Sequence, residues 1–132
     1  MADPKKLYLP MDLADDAPTV AAQEKDKNSL LNYVRELIRL KKTELALMAY
    51  AEFVPVYAKP NTYPFVFARA NGKDVILAVF NPADRPVEAK FTLNIEAGQL
   101  ELLTGDKIEI TNQGKDYTLK APGITYALFK LK

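Results

Sequence analysis

The chain has 132 residues, enough for one domain with a real core and too few for two. Its 18 basic and 17 acidic residues nearly cancel, so no long-range field steers it toward nucleic acid or an anionic membrane. Cys and His are both absent, which excludes disulfides and thiolate sites, removes the commonest metal ligand and general base, and leaves any catalysis to carboxylates, Lys or Tyr.

Residues 1–27 hold prolines at 4, 10 and 18 and an acidic cluster of Asp12, Asp15 and Asp16. They show no hydrophobic period and read as an extended arm. The polar opening MADPKK lacks the apolar run of a signal peptide, and no stretch reaches ~18 consecutive apolar residues, so neither a leader nor a membrane span is expected. The compartment is left open.

An amphipathic helix is expected over residues 28–48. Asn28 or Ser29 can cap it by accepting a hydrogen bond from a first-turn N–H. At about 100° per residue, Leu30, Leu31, Tyr33, Val34, Leu37, Ile38 and Leu40 cover roughly half its circumference. Asn32, Arg35, Glu36, Arg39 and Lys42 take the rest, and TELAL (43–47) continues the pattern. Such an arc is wide for a helix lying on one surface.

From residue 49 the period becomes two. EFVPVYA (52–58) and TYPFVFARA (62–70) each contain a proline, which suits edges or bulges. Asn71-Gly72 predicts a type I′ hairpin turn into KDVILAVF. The turn NPADRP (81–86) is followed by VEAKFTLNI, QLELLTG, KIEITN, KDYTLKA and ITYALFKLK. About eight short strands at this spacing give a mainly β fold, an antiparallel β-sandwich over residues 49–132 with the helix and arm in front of it.

An arm, one helix and then an all-β unit look like a piece of something larger. VAAQEKDKNSLLNYVRELIRLKK (20–42), FVPVYA (53–58), YPFVFAR (63–69) and ILAVFNPADRPVEAKF (76–91) resemble the C-terminal portion of glycoside hydrolase family 13, the α-amylase family. The oligo-1,6-glucosidase, α-glucosidase and trehalose-synthase-like members are the nearest in pattern. The likeness covers residues 18 to about 95, with Gln23, Ser29, Leu30, Leu31, Asn32, Arg35, Leu37, Ile38, Leu40 and Lys42 at the family's spacing.

The resemblance implies the last helix of a catalytic (β/α)8 barrel followed by the β-sandwich called domain C. It also accounts for the wide arc, since that helix touches both barrel neighbours and domain C. A barrel takes about 250 residues, and the family's catalytic carboxylates lie on barrel strands upstream of residue 1. The chain is therefore expected to have no catalytic residue, cofactor or metal of its own. The parent is expected to be a retaining hydrolase or transferase acting on α-glucosidic bonds. Leu30, Leu31, Tyr33, Val34, Leu37, Ile38 and Leu40 are the barrel-facing candidates, and the expected partner is the protein's own barrel. Self-association through the helix is a further possibility; α-glucan is expected to bind only in the parent. The competing reading is an independent carbohydrate-binding sandwich module.

Three clusters invite a functional assignment. Asp12, Asp15 and Asp16 read as a solvated loop rather than a Ca²⁺ site, which needs six to eight shaped oxygens. Tyr50, Tyr57, Tyr63, Phe65, Phe80, Tyr117 and Tyr126 could stack on sugar rings, but core or sheet-face packing is the plainer reading, and Trp, the largest platform, is absent. Arg35, Arg39, Lys41 and Lys42, with Glu36 beside them, form a solvated face.

Overall fold

The computed structural model describes residues 12, 14–94 and 99–132. Residues 1–11 and 13 of the expected arm, and Ile95 at the end of an expected strand, lie outside them. The chain divides into two units, Met1–Arg39 and Leu40–Lys132.

In the first unit the arm is not extended throughout, as expected, but carries a short helix, α1 (Val20–Lys25). Thr19 caps it by accepting the Ala22 N–H at 3.2 Å. Past Pro18 the sequence VAAQEK is rich in good helix formers, and the cap satisfies an orphan donor, so local propensity prevails.

Helix α2 (Leu30–Thr43) begins where expected. The Ser29 hydroxyl accepts from Asn32 N–H at 3.3 Å and donates to the Gln23 carbonyl at 2.6 Å. The helix stops earlier than the expected residue 48. Glu44 leaves helical backbone, and a single 3₁₀ turn follows at Leu45–Leu47. The Lys41 ammonium donates to the Leu47 carbonyl at 2.6 Å, holding that turn against the helix end. Among the described residues no helix is long and apolar enough to cross a membrane.

The second unit is the sandwich. Its strands are β1 (Glu52–Tyr57), β2 (Phe65–Asn71), β3 (Asp74–Asn81), β4 (Val87–Thr92), β5 (Leu100–Gly105), β6 (Glu109–Gln113), β7 (Asp116–Ala121) and β8 (Thr125–Leu131). A five-stranded sheet runs β1-β2-β3-β8-β5 and a three-stranded sheet β4-β7-β6, with every described pairing antiparallel. Pro55 sits on the edge strand β1, where a missing N–H costs no ladder bond.

The β2–β3 hairpin forms as expected, but its two-residue loop is Gly72-Lys73 rather than Asn71-Gly72. Asn71 pairs with Asp74 as the last rung of the ladder. Gly72 alone has positive φ, +61°, which is the pattern of a type II′ turn and not the expected type I′.

The core lies between the sheets. Val66, Ala68, Val75, Leu77, Val79, Ala127, Phe129 and Leu131 from the larger sheet meet Ala89, Phe91, Leu93, Ile108, Tyr117, Leu119 and Ala121. Strict alternation along β4 and β7 puts these residues inside and Glu88, Lys90, Thr92, Asp116 and Lys120 outside. Phe91 and Tyr117 stack across the β4–β7 pair, 5.7 Å between centroids with planes 4° apart.

Candidate functional site

Residues opposed in an antiparallel ladder share a face, so the registers resolve the outer face of the five-stranded sheet into three rows. The first is Phe53, Arg69, Ile76, Lys130 and Glu101. The second is Pro55, Phe67, Ala78, Leu128 and Thr104. The third is Phe65, Phe80 and Tyr126.

The segment that follows α2 roofs the first row. Arg69 donates from Nη2 to the Met48 carbonyl at 2.7 Å and from Nε to that of Ala46 at 3.5 Å. Lys130 Nζ meets Glu44 Oε2 at 2.7 Å. That hydrogen bond, reinforced by the charges of Glu44, Asp74 and Glu101 against a partial desolvation, holds the Lys130 ammonium above its ordinary pKa. Ile76 in this row and Ala46 in the covering segment are buried, and so is Leu40 near the end of α2.

The second and third rows are uncharged and their large side chains are only partly covered. Phe65 and Phe80 are each 36% exposed, and Phe53, at the end of the first row, is 50% exposed. Their rings form one continuous set. Phe67 lies 4.9 Å from Phe53, 5.3 Å from Phe65 and 5.9 Å from Phe80, and Phe80 lies 6.3 Å from Tyr126. The Phe67–Phe80 and Phe80–Tyr126 planes differ by only 15° and 18°. These near-parallel rings line up across the strands as one apolar strip.

Beyond the third row is an apolar cleft of about 450 Å³, lined by Tyr63, Phe65, Phe80, Pro82, Ile124 and Tyr126, together with Asn81 and Thr125. Both are engaged inward. Asn81 Nδ2 donates to the carbonyls of Arg85 at 3.0 Å and Pro122 at 2.6 Å, and its Oδ1 accepts the Ala83 N–H at 3.2 Å. Thr125 donates its hydroxyl to Pro122 at 2.8 Å. Ile124 stands at the lip, 74% exposed, with φ at +50°.

The helix candidates are placed unevenly. Leu40 is buried in the second unit, Leu31 is partly buried, and Leu30, Tyr33, Val34, Leu37 and Ile38 are exposed. The polar positions that carry the family spacing are structural. Gln23 Oε1 accepts the Leu31 N–H at 3.0 Å, Asn32 Nδ2 donates to the carbonyls of Gln23 and Asp26 at 2.9 and 2.8 Å, and Arg35 pairs with Glu24 at 2.9 Å. Together they fasten α1 to the start of α2.

Of the acidic cluster, Asp12 accepts the Ala14 N–H at 3.0 Å and all three carboxylates are exposed. Among the described residues no group of three or more acidic side chains is placed to hold a metal. Tyr117 belongs to the core, whereas Tyr63, Phe65, Phe80 and Tyr126 share the cleft. Sequence reasoning missed Asn81 and Ile124. The turn NPADRP announced only a turn, and nothing in PGITY marks a β-branched residue at positive φ.

No family model matches the chain, and no curated protein matches it. Solved structures do. A variant of the isomaltulose synthase from Erwinia rhapontici NX5 aligns with a TM-score of 0.71 and 21% identity, over 95% of this chain and 22% of its own. The α-amylase from H. orenii gives 0.61 and 22%, over 86% and 22%. The debranching enzyme from Nostoc punctiforme gives 0.64 and 21%, over 74% and 20%. The chain thus spans about a fifth of the length of the enzymes it matches, and at such identities the likeness establishes the fold. In fold, then, this chain is the antiparallel β-sandwich that α-amylase-family enzymes carry as one part of a much longer polypeptide.

Proposed function

We propose that the sandwich is a non-catalytic accessory domain, the C-terminal domain of an α-amylase-family hydrolase or transglucosidase acting on α-glucosidic bonds, which packs against a catalytic barrel and stabilises it. The observation that carries this reading is the pair of uncharged aromatic rows on the outer face of the five-stranded sheet. They sit on a fold shared with enzymes about four times as long. A contiguous exposed apolar patch of this kind is the mark of a protein-contact surface. The exposed helix residues Leu30, Tyr33, Val34, Leu37 and Ile38 offer a second such contact.

A glucan-binding module is the competing reading, favoured by the same exposed aromatics. Against it stands the inward engagement of Asn81 and Thr125, whose hydrogen bonds go to the neighbouring turns rather than into the cleft.

Turnover assays on maltose, isomaltose, trehalose and nitrophenyl α-glucosides test the non-catalytic claim. The purified chain is expected to match a buffer blank. Turnover well above the blank, abolished by Asp15→Asn or Asp16→Asn, overturns it.

A further inference from the structure

The aromatic face is bare in the chain by itself, and we infer that a second copy of the chain covers it there. The two copies are related by a two-fold axis that sets Ile124 of each against the apolar cleft of the other. The inference goes beyond the accessory-domain reading and stands on four features of the face.

The first is Ile124. A β-branched residue at φ +50° is strained, and this one is 74% exposed, so the isolated chain holds a strained apolar side chain in water. Its backbone is fixed there by the N–H donated to the Ala83 carbonyl at 2.7 Å. Strain of this sort gathers where a contact is made.

The second is self-complementarity. A two-fold contact uses the same patch on both copies, so the patch must supply both a projection and a recess. Here the projection, Ile124, stands at the lip of a recess of about 450 Å³, amply large for an isoleucine side chain.

The third is charge. Like residues meet near a two-fold axis, so a charge there would face itself. The second and third rows hold none. The charges of the first row, which Phe53 ends, are engaged within the chain, Arg69 by the Ala46 and Met48 carbonyls, Lys130 by Glu44 and Glu101 by Lys132. A net charge of +1 imposes no long-range repulsion between copies. The polar floor of the cleft is satisfied from within by Asn81 and Thr125, so covering it orphans neither side chain.

The fourth is area. Phe53, Tyr63, Phe65, Phe80 and Ile124 are between a third and three quarters exposed. At full sizes of roughly 200 Å² each, they offer on the order of 500 Å² per copy. A pair would bury about 1,000 Å² of apolar surface, which lies at the lower edge of specific interfaces and fits a reversible dimer.

Sedimentation equilibrium of the full chain, from about 10 to about 500 µM, decides the matter for four proteins: the parent sequence, Ile124→Asp, Ile124→Gly and Ile38→Asp. Asp and Gly tolerate positive φ better than Ile, so the two variants at 124 keep the fold, which circular dichroism verifies. The expected result is a concentration-dependent dimer, weakened roughly tenfold or more by either substitution at 124 and unchanged by Ile38→Asp on the helix. A monomer at every concentration, a dimer indifferent to Ile124, or one lost with Ile38→Asp overturns the inference. None of these results touches the accessory-domain reading, which fails instead on turnover or on glucan binding.

Discussion

Asn81, the last residue of β3, is the polar side chain on which two turns depend, and replacing it should cost more than any exposed polar substitution. It is 1% exposed, and its three hydrogen bonds tie β3 to Ala83, Arg85 and Pro122. Asn81→Ala deletes all three and leaves two carbonyls and one amide without that partner. At about 1 kcal/mol per bond the loss is about 3 kcal/mol. In a unit of about 90 residues this lowers Tm by on the order of 12–24 °C. Asn112→Ala is the control. That side chain is exposed and donates once, to the Gly114 carbonyl at 3.2 Å, so its removal should stay within about 0.5 kcal/mol. Asn81→Asp separates shape from charge, because the new carboxylate would face two carbonyl oxygens in a buried site. Its pKa is therefore raised in the folded state. The stability of this variant relative to the parent is greatest below the unfolded value of about 3.9 and falls as pH rises above it. Urea denaturation followed by circular dichroism at pH 4 and pH 7 measures all of this. The reasoning is refuted if Asn81→Ala and Asn112→Ala cost the same, or if the Asn81→Asp deficit does not widen from pH 4 to pH 7.

Three further outcomes follow from the same geometry. Gly105 has φ +100°, and an added Cβ would lie 2.4 Å from the Tyr126 carbonyl oxygen and 2.8 Å from the Ala127 Cα. Gly105→Ala must push β5 off β8 and should cost about 3 kcal/mol or more, against about 1 for Gly72→Ala, which meets nothing within 4 Å; equal urea midpoints would count against this. Tyr117→Phe should raise stability by about 1 kcal/mol, because the Tyr117 hydroxyl is buried with no hydrogen-bond partner among the described residues and the ring's stacking on Phe91 survives; a loss of that size would show that the hydroxyl is satisfied. Lys130 has a raised folded pKa, so its contribution is complete below the unfolded value of about 10.4 and fades as pH climbs through the folded one. Lys130→Met should therefore cost about 1 kcal/mol at pH 8, with the gap closing above pH 11; a gap that stays constant or widens contradicts the assignment.

The fold was largely legible because its signals are local. Period-two runs placed the strands, Ser29 marked the start of α2, and Pro55 marked an edge. The misses came where short-range signals compete. The extended reading of residues 1–27 ran past the Thr19 cap and over α1, and Asn71-Gly72 satisfied a turn rule that the pairing of Asn71 with Asp74 displaced by one position. The candidate site was legible residue by residue but not as a face. Phe65, Phe80 and Tyr126 were all visible as aromatics, yet their alignment depends on the β3–β8 register, formed across more than forty residues. Leu40 matches its helix neighbours in pattern, and only the fold sets it apart by burying it. Asn81 and Ile124 owe their roles to contacts between the NPADRP and PGITY turns, which no local pattern encodes.

The central claim, that this sandwich is an accessory domain whose aromatic face meets protein rather than glucan, is tested most directly by calorimetric titration of the chain with maltooligosaccharides up to millimolar concentration. The account predicts no saturable heat. Saturable binding at or below the millimolar range, abolished by Tyr63→Ala or Phe80→Ala in variants that remain folded, would contradict it.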